Sequence, residues 1–383
     1  MLLIRNAKVM TMAGQTYEKG DILIDDEGRI AAVGEQLPAP DGTPCVEAQG
    51  LTALPGFIDA HCHIGMFENG MGFEGDDGNE MTDPITPHLR AIDAINPEDV
   101  CFQEAYEHGV TTVCTGPGSA NVIGGTFVAM KTYGRRVDDM VIANPLALKC
   151  AFGENPKRVY SGLKRTPSTR MATAALLREA LAGAQAYRKK IDNDEDVPDQ
   201  DLKKDVLVDV LENRLYMKIH AHRADDILTA IRICKEFGVE YTLEHCTEGY
   251  RILDYLKEED AKCILGPLLT DRSKIELNKL TFRAPAEFAK AGLKFALMTD
   301  HPVIPTMYLP VCASLAVREG LDPESALKAI TIWAAEITGI DERVGSLEPG
   351  KDADIVLFAG DPLDVRTHVK QVFVNGQSVF TEA

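Results

Sequence analysis

Leu54-Pro55-Gly56-Phe57-Ile58-Asp59-Ala60-His61-Cys62-His63 is the stretch that decides the fold. A Pro-Gly break admits a short apolar run that reads as a β-strand, and the run ends in His-x-His. Side chains alternate between the two faces of a strand, so His61 and His63 share one side, where two imidazoles can bind one ion. Cys62, by the same alternation, points away from that ion.

Downstream of this strand, apolar runs recur at 111–115, 141–143, 216–220, 240–244, 262–265 and 294–298. Helix-period segments lie between them. In 224–237, Ile227, Ala230, Ile231 and Cys234 fall on one face, and 322–338 begins with Asp322 as an N-cap and Pro323 in the first helical position. Alternating strands and helices predict a parallel α/β domain, and about 290 residues of it match a (β/α)8 TIM barrel in size. One strand is hard to place. The segment 150–215 reads as mostly helical and polar, with a solvated run over 189–205, so the fourth strand is expected to be short or hidden near 147–151.

Both ends of the chain read differently. Residues 1–49 alternate short apolar stretches with turn residues, Glu27-Gly28 among them, and the far end repeats the pattern around Asn375-Gly376. Neither end has enough strands for a sheet of its own. The expectation is a composite β-sandwich built from 1–54 and 345–383, attached to a barrel over 55–344.

Composition narrows the function. The 383 residues hold 40 Lys+Arg against 59 Asp+Glu, a formal charge of -19. A nucleic-acid backbone or an anionic membrane surface would be repelled, so neither is an expected partner. Arg5 interrupts the start too soon for a secretory apolar region, and no apolar run has spanning length, which makes the cytoplasm the default location. Nine cysteines without a Cys-x-x-Cys pair read as reduced core thiols. A homo-oligomer is compatible with all of this.

In a parallel barrel the strand ends meet on one face, where the site must lie. The later strands end in His220-Ala221-His222, Glu244-His245 and Thr299-Asp300-His301. Four imidazoles and a carboxylate suit zinc, manganese or iron better than calcium or magnesium, with zinc favoured. An ion of this kind lowers the pKa of water and polarises a carbonyl, and Asp300 is placed to carry a proton from the water to a leaving nitrogen. His245 or His301 is placed to steady the oxyanion. A lone strand-end histidine is more often structural; the whole set on one face is what favours the catalytic reading.

The chain resembles the metal-dependent amidohydrolase superfamily, most closely its imidazolonepropionase-related branch. The likeness rests on 54–63, Gly109-Val110-Thr111-Thr112, His220-Ala221-His222, Glu244-His245, Thr299-Asp300 and the closing run 344–356, Val-Gly-Ser-Leu-Glu-Pro-Gly-Lys-Asp-Ala-Asp-Ile-Val. It covers essentially the whole chain. It implies His61, His63, His220 and Asp300 as ligands of a single ion, with His245 either a ligand to a second ion or a partner of the attacking water. Binuclear members bridge two ions with a carboxylated lysine at the end of strand 4. Lys149 stands where that lysine would be, with a surface or salt-bridged lysine the equal alternative, so one ion is favoured, with two the alternative.

Other residues are assigned to substrate. His222 faces the same pocket as His220. The loop 116–125 brings Ser119 and Asn121 inward, and Arg158 and Tyr160 follow the third strand; Arg165, Arg223 and Arg283 compete with Arg158 for a substrate carboxylate. The loop 64–96 is long, acidic and glycine-rich, which reads as a lid or as a merely solvated loop. The favoured activity is hydrolysis of a non-peptide, cyclic amide or amidine C–N bond in a small substrate. A metallo-dipeptidase or carboxypeptidase is the alternative, expected to need Lys149 and an arginine. Deamination is disfavoured because Arg223 stands where the superfamily's deaminases carry a glutamate, and an inert assembly protein because no ligand is missing.

Overall fold

A computed structural model of the chain describes residues 1–193 and 199–382. Part of the 189–205 run lies outside these residues; what is described of it ends the helix Arg170–Asp192 and begins the helix Leu202–Leu211. The strands are β1 (Leu2–Met10), β2 (Thr16–Ile24), β3 (Ile30–Gly34), β4 (Cys45–Glu47), β5 (Thr52–Pro55), β6 (Phe57–Cys62), β7 (Val110–Thr115), β8 (Ile123–Lys131), β9 (Val141–Ala151), β10 (Tyr216–Ala221), β11 (Tyr241–His245), β12 (Cys263–Leu265), β13 (Phe295–Leu297), β14 (Ile355–Phe358), β15 (Val369–Val374) and β16 (Gln377–Thr381). They divide between two sheets.

The first sheet unites the two ends of the chain in the order β16-β15-β14-β5-β1-β2-β3, with β4 beside β1. It curls until its extremes meet. Ala353 N donates to Gly28 O and Gly376 packs on Gly28, so the two tight turns recognised in the sequence touch. Ile4, Ile22, Ile30, Ile355 and Phe373 fill the space enclosed. This is the expected sandwich of both termini.

The second sheet runs β6 to β13 in chain order as a nearly closed TIM-type barrel. Its last gap is bridged at the mouth, where His63 N donates to His301 O (2.9 Å) and Asp300 N to His61 O (3.2 Å). Two details differ from the sequence expectation. The runs 141–143 and 147–151 are one strand, β9, continued through Pro145 by a register shift against β8. The remaining strand is β8, antiparallel to both β7 and β9. Its glycine pair suggested a loop, yet every one of its nine residues is buried, and packing on both sides overrides weak local preference. A three-strand meander thus replaces a βαβ unit. The predicted 322–338 helix is also two helices, Pro323–Ala329 and Ile332–Thr338, the first capped as expected by Asp322 accepting from Ser325 N (2.9 Å). Eight cysteines are buried and unpaired, while Cys45 is exposed because β4 lies at the surface.

The two sheets are joined at the Pro55-Gly56-Phe57 break. Pro55 ends β5, and Gly56 carries the chain into the barrel past Thr111, whose Oγ1 would lie 1.9 Å from any Cβ at position 56. Beside this crossing, buried Lys131 Nζ lies 2.6 Å from Asp354 and 2.9 Å from Asp352, tying the end of β8 to the approach of β14. Removing one side of a buried ionic cluster leaves the other uncompensated. Lys131→Met is expected to lower the unfolding free energy by about 3–5 kcal/mol in chemical denaturation; a loss under about 1 kcal/mol would class the cluster with surface pairs.

Candidate active site

The barrel interior is built by alternation. Lys218 and His220 face inward from β10, Thr242 and Glu244 from β11, Lys149 from β9 and His61 from β6, all buried. Register places Lys149 beside Lys218 and His220 beside Glu244. At the mouth, His245 (φ 72°) and Asp300 (φ 57°) adopt left-handed backbone conformations. Non-glycine residues pay for that conformation, and such strain collects at functional sites.

The inward nitrogens converge. His63 Nε2 lies 3.2 Å and His61 Nε2 3.6 Å from Asp300 Oδ1. Lys149 Nζ lies 3.1 Å from His61 Nε2, and His220 Nδ1 lies 2.7 Å from His245 Nε2. The outward nitrogens are held by the scaffold: His63 Nδ1 by Gly116 O (2.7 Å), His245 Nδ1 by Gly266 O (2.9 Å) and His222 Nδ1 by Thr247 Oγ1 (2.7 Å). The two carbonyls fix the Nδ1–H tautomer of His63 and His245, whose Nε2 then offers the lone pair, whereas the Thr247 hydroxyl can donate or accept. His61 Nδ1 is 2.9 Å from Glu244 Oε2, close in distance though not aligned as a hydrogen bond.

Charge states follow from burial. Desolvation first, then neighbouring cations, holds the pKa of His61 and His220 well below the usual histidine value; His245 is lowered by burial and by His220, and His222 is brought to about 3, chiefly by burial. All four are therefore neutral donors. Burial raises Asp300, but the hydrogen bond and charge of His63, with Lys149, outweigh it, so its carboxylate is favoured. Burial brings Lys149 down to about 8 against the pull of Glu244 and Asp300.

These donors fit a divalent ion. Groups His61, His245, Asp300 and His220, His222, His245 each bring three ligand atoms within 4.8 Å of one another, and neutral imidazoles with a carboxylate are borderline ligands. His61, His63, His220, His245 and Asp300 thus come together as the sequence suggested. Lys149 joins them: it is fully buried, which removes the surface-lysine alternative. Cys62 points away, toward Cys114 O.

The substrate assignments fare differently. His222 lies in the cluster. His301 is buried beside it, brought to about 4 by burial, but Asp99 is the charge that acts on it most strongly and its Nδ1 accepts from Thr306 N. Arg158 is exposed on the helix Glu154–Gly162. Tyr160 is buried, and the charges that act on it are Asp83, Arg165 and Glu80 rather than the imidazoles. Arg223 is tied bidentately to Asp225, and Arg283 pairs with Glu319. Asn121 is spent on the acidic loop, its Nδ2 donating to Glu80 O (2.6 Å) and Asp83 O (2.8 Å).

That loop is folded over the site. Phe67 packs edge-on against His63 with centroids 5.9 Å apart, and Gly78 lies directly against the Phe67 ring. Lys203 holds Asp83 (2.8 Å) from the far side. Three contributors had no role assigned from the sequence. Phe127, on the unexpected β8, underlies His61 and lies 5.4 Å from Lys149 Nζ and 5.6 Å from Lys218 Nζ. Glu244 compensates Lys218 (3.0 Å) behind the cluster. Glu276 reaches in from the 3-10 turn Ile275–Leu277. Inward alternation on 216–220 and 240–244 was the cue for Lys218 and Glu244; no local pattern marks the other two.

A barrel mouth carrying His-x-His, a buried lysine, two further histidines and an aspartate defines the class of metal-dependent hydrolases. The chain belongs to the amidohydrolase family, whose profile matches residues 52–379. A crystal structure of an amidohydrolase from Thermotoga maritima is 44% identical, superposes with a TM-score of 0.97 and covers 100% of both chains. The amidohydrolase tasK of Hapsidospora irregularis is 28% identical over 96% of this chain; the chain spans 41% of that relative's length. An imidazolonepropionase of Caldanaerobacter subterraneus is 26% identical, with 91% of this chain and 86% of the relative aligned. No helix among the described residues is long and apolar enough to cross a membrane.

Asn121 as a latch has a measurable consequence. Removing it takes the donor from the part-buried hydrogen bonds to Glu80 O and Asp83 O, each worth about 0.5–1.5 kcal/mol. Asn121→Ala should lower stability by the two contributions together and expose 70–86 to limited proteolysis. Unchanged stability with a raised KM would return Asn121 to the substrate.

Proposed function

We propose that this protein hydrolyses a non-peptide C–N bond in a small substrate, a cyclic amide or amidine, using two divalent ions, zinc by preference. The observation that carries this reading is Lys149, buried at 3.1 Å from His61 Nε2 among neutral imidazoles. Burial disfavours its ammonium against the pull of Glu244 and Asp300, and the neutral amine can add to carbon dioxide, forming an N–C bond and releasing a proton, to give a carboxylate that can serve two ions. His61, His63 and Asp300 would hold one ion and His220 with His245 the other, the carboxylated Lys149 serving both. Divalent ions in such a site supply Lewis acidity that polarises the scissile carbonyl and acidifies water.

The chain's own groups do the rest. Asp300, kept ionised by His63, takes the proton of the attacking water and delivers it to the leaving nitrogen. The acidic loop, with Phe67 resting on His63, excludes bulk water, so the site takes small molecules. The aligned imidazolonepropionase supports a cyclic amide. Lys149 equally suits a metallo-dipeptidase, but the arginine that reading expects is missing from its assigned places: Arg158 and Arg165 are exposed, and Arg223 and Arg283 are engaged elsewhere. The two structural units run 1–54 with 345–383 and 55–344, and a cytoplasmic setting accords with the buried free thiols.

Asp300→Asn tests the proton role. It should keep most of the bound metal and lose turnover by at least roughly 100-fold, the scale of general acid–base catalysis, in a reconstituted screen of cyclic amides, N-acyl amino acids and dipeptides. Retained turnover would exclude Asp300 as the shuttle, and cleavage confined to dipeptides would replace the proposed substrate class.

A further inference from the structure

Two buried polar atoms beside the cluster lack hydrogen-bond partners and face each other: His220 Nε2 and Glu276 Oε1, 3.6 Å apart. Glu276 is 2% exposed although it stems from a turn whose neighbour Ile275 is 71% exposed. Its other oxygen is committed, since Oε2 accepts from Glu154 N (3.0 Å). The approach is tight enough to require glycine at 153, where φ is +84° and a Cβ would lie 2.8 Å from Oε2. Oε1 is thereby aimed at the imidazoles, 3.6 Å from His222 Nε2 as well.

A third ion between these atoms is disfavoured, because the Lys274 ammonium lies 3.7 Å from the same Oε1. Tautomer logic explains the arrangement better. His245 gives its Nδ1 proton to Gly266 O, so its Nε2 presents a lone pair toward His220 Nδ1 at 2.7 Å. For both nitrogens to serve one ion, His220 must also offer a lone pair at Nδ1 and carry its proton on Nε2. The unpartnered acceptor beside that proton is Glu276 Oε1, 3.6 Å from Nε2. Without an ion, His220 Nδ1 donates to His245 Nε2 and its Nε2 lone pair confronts Glu276 Oε1; an ion held by both nitrogens requires the Nε2–H tautomer, which relieves that confrontation.

Resting on the two-ion reading, we infer that Glu276 is a positioning residue: it selects the Nε2–H tautomer of His220, so that His220 binds the second ion through Nδ1. His61, His63 and His245 present Nε2 instead. Glu276 thus couples the turn after β12, through the Glu154 contact, to occupancy of one half of the site.

The test uses the full chain, stripped of metal and titrated with Co²⁺ in bicarbonate buffer, following equivalents and affinities by absorption. In Glu276→Gln the carbonyl oxygen stays on Glu154 N, so the amide NH2 faces His220 and favours the wrong tautomer. The expected result is a first equivalent bound as in wild type and a second weakened by roughly 10–100-fold. Glu276→Asp, which keeps the charge, should recover part of that loss. Glu154→Ala removes the side-chain Oε2 that accepts from Glu276 N (3.4 Å) but keeps the Glu154 N–H and the Glu276 carboxylate, so it should bind both equivalents, with thermal unfolding checked for all three. Two equivalents at wild-type affinity in Glu276→Gln, or an equal loss in Glu154→Ala, would overturn the inference alone. A wild-type protein that binds fewer than two equivalents would overturn the two-ion reading together with it.

Discussion

The contact between Lys149 Nζ and His61 Nε2 sets the terms for everything around it. An amine sealed in a barrel mouth must be neutralised, paired or chemically altered, since an isolated buried ammonium is costly. The protein spends its carboxylates sparingly here. Glu244 is given to Lys218 and Thr242, and Asp300 to His63, which leaves Lys149 next to imidazoles that burial keeps uncharged. Such a group has a depressed pKa and a reactive lone pair, as carboxylation by carbon dioxide requires.

The fold serves that contact from below and above. From below, the antiparallel β8 replaces a helical crossover and slides Phe127 under His61 and both lysines, a flat apolar floor that keeps water from the amines. The same strand ends at Lys131, whose buried pairs with Asp352 and Asp354 anchor the terminal sheet. One strand therefore links the stability of the sandwich to the depth of the site. From above, the acidic loop lies across the mouth, pinned by Asn121 and Lys203. Its negative charge, a visible share of the chain's -19, faces a site proposed to collect cations.

Much of this was legible in the chain because strand alternation is strict. His61 and His63 had to share a face, and the barrel pattern then placed His220, His245 and Asp300 with them. The turns at Gly28 and Gly376 and the cap at Asp322 were readable because each rests on local backbone chemistry. What escaped notice depended on distant packing. The Gly124-Gly125 pair read as loop because nothing local reveals that β8 is clamped between two strands. Asn121 was assigned to substrate since its partners, the carbonyls of Glu80 and Asp83, lie about 40 residues away in a loop without periodicity. Glu276 was invisible for the same reason: a glutamate in a polar turn is ordinarily solvated, and only the glycine at 153 lets it inside.

The proposed role of Lys149 as a bridge between two ions is tested most directly by metal content. Protein purified without chelator in bicarbonate buffer should hold two equivalents of transition metal, and Lys149→Met should lose the second while remaining folded. Wild-type protein free of transition metal and unchanged by reconstitution, or a Lys149→Met variant that holds both equivalents, would contradict it.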